Sequence, residues 1–438
     1  MNPPRKKLTF LGLNEIYFPI IRGYVEKNKD NFPNFFEITS NKNHYTLSCE
    51  NQYELLEPWI QWPSIFNGKK YNEHKIFRLG DVVKKQYEQI FERVEKEGFS
   101  VGAISPMNAS NQLNNPDFFI PDPWTKTSCD ESITSKILTK AIIQGVNDNS
   151  SSKITLSSLL SLLYVFLLNV RIKSYSSLFF LAVSSINKPW RRAIFLDVFL
   201  NEVFVNKRKK KGTEFTFIFL NAGAHIQHHY FHNSPYTNEG IMNPDWYIRN
   251  NLDPLKELIV AYEKILNDHL NLKDHEVVIS TGLSQSPTKK LIFYYRLRKH
   301  QNFLENIGIS FKEVFPRMTR DFLITFESNK ERDSCSEILK SASLKKKKVF
   351  EIEIREKELF VTLCYEDEIT QEDLLSINRQ HRKFLEDIAF VALKNGDHLN
   401  KSFTYLSNGV EGSKKITNGD GIESLHETVY NYFTKQGI

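Results

Sequence analysis

The strongest constraint in this sequence lies between Thr213 and His232. Thr213-Glu-Phe-Thr-Phe-Ile-Phe-Leu220 is β-branched and aromatic and reads as a buried strand. Asn221 and the small residues Ala222-Gly223-Ala224 follow, letting the chain turn tightly where the strand ends. His225-Ile-Gln-His228-His229-Tyr-Phe-His232 then puts four of the 12 histidines within eight residues. In a helix, positions 225, 228, 229 and 232 share one face. Strand, tight turn and polar helix start is how open α/β sheets hold ligands at the carboxyl ends of their strands. The run therefore predicts both a fold class and the place of a site.

Other segments extend the pattern. Leu8–Leu13 reads as a first strand, with a helix around Glu15–Asn28, a helix over Val82–Gly98 and a strand over Ser100–Ile104. This alternation predicts an α/β fold, a mostly parallel central sheet with helices on both faces. The expected layout is core over 1–129, a helical insertion over 130–210, core over 211–315, a small α+β insertion over 316–368 and core over 369–438. Within these, Asp253–Leu270 reads as a helix and Glu276–Ser280 as a strand; Phe322–Phe326, Val349–Ile354 and Glu358–Tyr365 read as strands around a helix at Arg332–Ser341. Gln371–Leu393 is expected to return to the core as a helix.

Five polar clusters fall at or just beyond the expected strand ends: Asn14-Glu15, Ser105–Asn108, Asn221 with His225, His228 and His229, Thr281–Gln285, and Asp397-His398. Imidazoles and carboxylates together suit a borderline divalent ion such as zinc or manganese, with Glu15 or Asp397 as oxygen ligand or acid/base. Trp59, Trp62 and Trp124 lie in Pro-stiffened runs, Glu57–Ser64 and Phe118–Thr125, suited either to stacking on sugars or to packing. Arg78 and Arg296 are candidate forks for an anion.

The length allows a full core, and 40% hydrophobic with 25% charged residues excludes a disordered chain. Cys49, Cys129, Cys335 and Cys364 form no CxxC pair, which argues against a disulfide framework or zinc knuckle. The net charge of +6 concentrates in two runs, Lys207–Lys211 and Lys345–Lys348, read as solvated turns with contact to anionic lipid or a polyanion as the second reading. No motif for specific nucleic-acid binding stands behind them. The apolar stretch Ile154–Val170 is broken by serines and short of the roughly 20 residues of a span. It is expected to be a buried or partner-facing helix, or a peripheral membrane contact. With no apolar leader pattern at Met1–Lys7, the expectation is a cytoplasmic protein, with peripheral membrane association as the second reading.

The order of motifs resembles the alkaline phosphatase superfamily. Leu11-Gly-Leu13-Asn14 takes the place of its first metal-binding strand end, and Phe66-Asn-Gly68 to His74-Lys-Ile that of its nucleophile turn. Asn221-Ala-Gly-Ala-His225 resembles its Asp-x-x-x-His pair, Ser280-Thr281-Gly282-Leu283 its Asp-His-Gly, and Gly396-Asp-His398 its late histidine. Asn14, Asn221 and Thr281-Gly282 replace family ligands, and Ser64 is the sole hydroxyl in the stretch before Gly68. The resemblance therefore implies one metal at most, held by His225, His398 and His228 or His229, or no metal. The strings Glu57-Pro-Trp, Pro106-Met-Asn108-Ala, Pro121-Asp-Pro-Trp124 and Gln227-His-His-Tyr230 resemble a bacterial branch associated with surface-polysaccharide gene clusters.

The leading expectation is an enzyme that hydrolyses or transfers a phosphorylated or sugar-linked group. Glu15, Glu57, His228 and His229 are its candidate catalytic groups, and His225, His229, Asp397 and His398 its candidate metal ligands. Asn14, Trp62, Arg78, Asn108, Asp122, Trp124, Gln285 and Arg296 are expected to bind a glycan, nucleotide-sugar or phosphorylated small molecule. A glycosyltransferase with a carboxylate base and a catalytically degenerate scaffold of polysaccharide assembly stand as alternatives.

Overall fold

The computed structural model of the protein describes residues 6–435 apart from 41–42, 148–155, 238–239, 318–319 and 414–415. Six strands set the centre: β1 Leu8–Leu13, β2 His44–Ser48, β3 Val101–Ile104, β4 Phe118–Ile120, β5 Phe215–Leu220 and β6 Glu276–Ser280. With the Lys401–Leu406 strand they form a seven-stranded sheet in the order β2, 401–406, β6, β1, β5, β3, β4. Lys401–Leu406 runs antiparallel to both of its neighbours, while β6, β1, β5, β3 and β4 pair in parallel. The expected α/β sheet is the fold observed.

The sheet is buried on both faces, which is why β1 and β5 show no polar alternation. The period of two sorts their residues instead by chemistry. Phe10, Phe215, Phe217 and Phe219 point into one core with Trp62, Phe66 and Phe91. Leu11, Leu13, Ile218 and Leu220 point into the other, which continues into the helices of residues 133–211. Gly12 is glycine because a Cβ there lies 2.8 Å from the Trp62 ring.

Two expected helices differ. Val82–Gly98 is two pieces, Val82–Lys85 and Ile90–Lys96, because Gln86 takes a left-handed conformation (φ 48°) and Gln89 caps the second piece in a box with Glu92. Gln371–Leu393 contains no helix. Leu374–Ile377 and Gln380–Lys383 form a hairpin turned by Asn378 and Arg379 (φ 47° and 61°). Ile388–Leu399 pairs antiparallel with Ser284–Leu297, a long strand extending from the expected 281–285 turn. This hairpin carries two four-stranded sheets with their own core. Among the described residues, no helix is long and apolar enough to cross a membrane.

Candidate metal centre

Glu15 is the second residue beyond β1, buried, and held in a left-handed conformation (φ 62°) that a non-glycine residue adopts only where its surroundings impose it. Three hydrogen bonds impose it: its N–H donates to the Thr281 carbonyl at 2.9 Å, and its own carbonyl accepts from Gln285 N at 3.2 Å and Gln227 Nε2 at 2.6 Å. The turn sends the carboxylate across the carboxyl ends of the strands. There Oε1 accepts from Asn14 Nδ2 at 3.0 Å, and Oε2 accepts from Gln285 Nε2.

Two imidazoles close on the same oxygen. His228 Nε2 lies 3.1 Å from Oε2 and His398 Nε2 3.0 Å from it. His228 comes from the helix Ala222–Tyr230, which starts straight after β5, and His398 from the long hairpin as it re-enters the sheet. On the far side of His398, Nδ1 is 3.7 Å from Glu57 Oε2. Burial alone raises a carboxyl pKa, yet His398 and His228 outweigh it and hold Glu15 well below the usual range. His398 is raised in return: burial pulls it down, but the Glu15 charge and hydrogen bond prevail. Glu57 lacks so close a partner, and burial pushes it up to about 7.

His225 and His229 stack edge to face at 4.9 Å on the same helix, and burial lowers them to about 4 and about 3. Both are therefore neutral. His229 Nδ1 lies 3.2 Å from the Leu393 carbonyl, a contact that fixes the proton on Nδ1 and leaves Nε2 as the acceptor. His232 turns away, with Nε2 2.9 Å from Thr288 Oγ1.

The carboxylate that converges with the imidazoles is thus Glu15. Asp397 is not part of the cluster: alternation along the strand aims it to the opposite face from His398, where it pairs with Lys394 at 2.5 Å. Glu15, His228 and His398 offer one oxygen and two nitrogens, all within 4.8 Å of one another. That donor set fits a divalent ion such as zinc or manganese, leaving coordination positions open.

Several expected substrate contacts have structural duties. Trp62 is fully buried and gives its indole N–H to Asn14 Oδ1 at 2.8 Å, so it has no face to offer a sugar. Asn14 also donates to Asn221 Oδ1 at 2.8 Å; with every polar atom engaged it orients Glu15. Asn108 bridges loops through Gly80 N, the Trp59 carbonyl and the Arg78 carbonyl. Asp122 accepts from Asn108 N, Trp124 N, and the N–H and hydroxyl of Thr125. Trp124 packs half-buried against the aromatic core. Arg78 is exposed at a loop, and Arg296 sits eleven residues along its strand from Gln285, roughly 35 Å at 3.3 Å per residue. Gln285 lies inside the site.

Ser64 is a hydroxyl beside a histidine, 3.0 Å from His74 Nε2. His74 Nδ1 accepts from Ile76 N, so Nε2 carries the proton and donates to Ser64. The pair is oriented backwards for activating a nucleophile. Trp62 follows the packing reading of its run, and sequence reasoning missed Gln227; the His228–Glu15 meeting has no local signal, because the two are joined only by the pairing of β1 with β5.

Fold and site together define an α/β protein with a two-histidine, one-carboxylate cluster above a mostly parallel sheet. No protein-family model and no curated protein matches the chain. Among solved structures it is similar to phosphonoacetate hydrolase from Sinorhizobium meliloti 1021 in complex with phosphonoformate, at 10% identity over 98% of this chain and 96% of that one, with a TM-score of 0.44. It is also similar to murine ectonucleotide pyrophosphatase/phosphodiesterase 5 (10% identity, 99% and 96% covered, TM-score 0.41) and to alkaline phosphatase from the Antarctic bacterium TAB5 (9%, 98% and 99%, 0.40).

Proposed function

We propose that this protein is a metal-dependent hydrolase or transferase acting on a phosphorylated or sugar-linked group, with one divalent ion held by Glu15, His228 and His398. The observation that carries the reading is their convergence from three separate segments onto one point at the carboxyl end of the sheet. A bound ion supplies Lewis acidity toward a phosphoryl oxygen or an attacking water there. The chain supplies the rest. Asn14 and Gln285 lock the carboxylate rotamer, and His398 is positioned between two carboxylates. Glu57, pushed up to about 7 by burial, stands beside the site as a group that can give a proton to a leaving oxygen. The motif order, with Asn221–His225 and Gly396–His398 at strand ends, supports phosphate-ester chemistry, and a sugar phosphate or nucleotide sugar of surface-polysaccharide metabolism is the substrate class we assign.

Metal analysis of the full chain loaded with zinc or manganese is expected to find close to one ion per chain. Glu15→Gln and His398→Ala are each expected to weaken binding by about 10- to 100-fold while unfolding stays cooperative. Turnover across phosphomonoesters, phosphodiesters and nucleotide sugars is expected to follow metal content. Full turnover by metal-free protein, or wild-type metal binding by Glu15→Gln, defeats the proposal.

A further inference from the structure

The helical unit between β4 and β5 shows an inverted pattern. On the helix Leu156–Asn169, Leu160, Leu163, Tyr164 and Leu167 recur at i, i+3, i+4 and i+7, the spacing of a core-facing stripe, yet all are exposed. Val165, on the other face, is fully buried. On the next helix, Tyr175–Ser184, Phe179 and Val183 continue the pattern outward, at 72% and 52% exposed, while Leu178 is buried. Ile172 in the turn between them is 84% exposed and Ile186 just beyond them 73%. Both helices back onto the long helix Trp190–Lys211, so their inner faces are already used. Apolar exposure on this scale marks a surface that something else covers.

Charge identifies what covers it. From Asn149 to Leu196 the sequence has no Asp or Glu, while Arg171, Lys173, Lys188, Arg191 and Arg192 stand among the apolar residues. Arg171 and Arg191 are tied to acids behind the patch, Glu202 and Asp268 for one and Glu257 for the other. Lys173 and Lys188 approach the same acids only at 3.7 and 3.6 Å; Lys173 stays 67% exposed, and Arg192 is exposed as well. Two copies of such a face would set cation against cation. An anionic surface meets both its charge and its apolar side chains. The helix of 14 residues is about 21 Å long at 1.5 Å per residue, too short to span a bilayer and suited to lying in its interface.

We propose that the outer face of residues 160–186 docks on a bilayer rich in anionic lipid, burying its leucine and phenylalanine side chains among the headgroups. The inference is independent of the metal centre. It is tested by sedimenting the full-length protein with phosphatidylcholine vesicles with and without phosphatidylglycerol. Binding is expected with the anionic vesicles, weakening as salt rises. Leu167→Glu and Phe179→Glu, exposed positions whose substitution is expected to leave the melting temperature unchanged, are each expected to reduce binding roughly tenfold. No sedimentation with anionic vesicles overturns the proposal, as does equal binding by the two variants. A wild-type dimer in ultracentrifugation that Leu167→Glu makes monomeric also overturns it, assigning the face to a second copy.

Discussion

At the scale of single residues, the site depends on a strained carboxylate braced from below. A left-handed non-glycine conformation costs about 1–3 kcal/mol, and at Glu15 three backbone-anchored hydrogen bonds hold it there. Trp62 extends the brace: it fixes Asn14, which fixes the carboxylate. Gly282 permits this. Its φ is +70°, and a Cβ would stand 2.6 Å from both Cε2 and Nε1 of the Trp62 indole. Gly282→Ala therefore meets two penalties, backbone strain and a clash with a fully buried ring. It is expected to cost about 2–4 kcal/mol in urea unfolding and to weaken metal binding through Asn14. Wild-type stability in this variant would show that the indole moves freely and braces nothing.

At the scale of elements, the loop after β4 shows how much scaffolding a conspicuous motif can contain. Asp122 sits where Pro121 and Pro123 stiffen the chain, and it receives four hydrogen bonds between 2.7 and 2.8 Å. Asp122→Ala leaves three N–H groups, two of them buried, and a buried hydroxyl without their acceptor, for an expected loss of about 3 kcal/mol. Metal content in the folded variant is expected to match wild type; metal loss at full stability would place the loop in the site instead. The same motif suggested substrate binding in sequence because Pro, Asp and Trp together suit a rigid recognition loop as well as they suit a staple. β1 and β5 were legible because a strand buried on both faces leaves an unbroken apolar run. Residues 371–393 were not: Leu374, Leu375 and Ile377 suit a helix as readily as a strand. The deciding signal was the left-handed pair Asn378-Arg379, which arginine does not advertise. The site was legible as a set of strand ends, and its pairings were not: Glu15 and His398 meet across 383 residues because Glu15 bridges Ser284 while His398 pairs with Gln285, and neither pairing has a local signal.

At the scale of the whole molecule, burial has made most histidines neutral, and that sets how the protein responds to acid. Outside the candidate metal centre, His44, His74, His232, His275 and His300 are each lowered to about 4, burial being the foremost cause in every case. In the unfolded chain the same groups take up protons near 6.5, so below that pH the unfolded state binds more protons and gains on the folded one. Stability from these histidines is complete above 6.5 and is lost as pH falls toward 4. Glu92, raised to about 7 by burial, opposes this, since it favours the folded state most below about 4.5 and loses that contribution as pH rises through 7. Glu57, also pushed up to about 7, and Asp197, pushed up to about 6, act in the same sense as Glu92, and five imidazoles against three carboxylates leave acid lability as the net direction. Thermal unfolding followed from pH 7.5 to 4 is expected to show a steep fall beginning near 6.5. His74→Phe removes one titrating group along with its contacts to Ser64 and Ile76. It is expected to lower stability at pH 7.5 yet flatten the acid limb by about 2–3 kcal/mol between pH 6.5 and 4. An unchanged slope in that variant would mean that His74 keeps its ordinary affinity for protons in the folded protein, and that the acid response is carried by other groups.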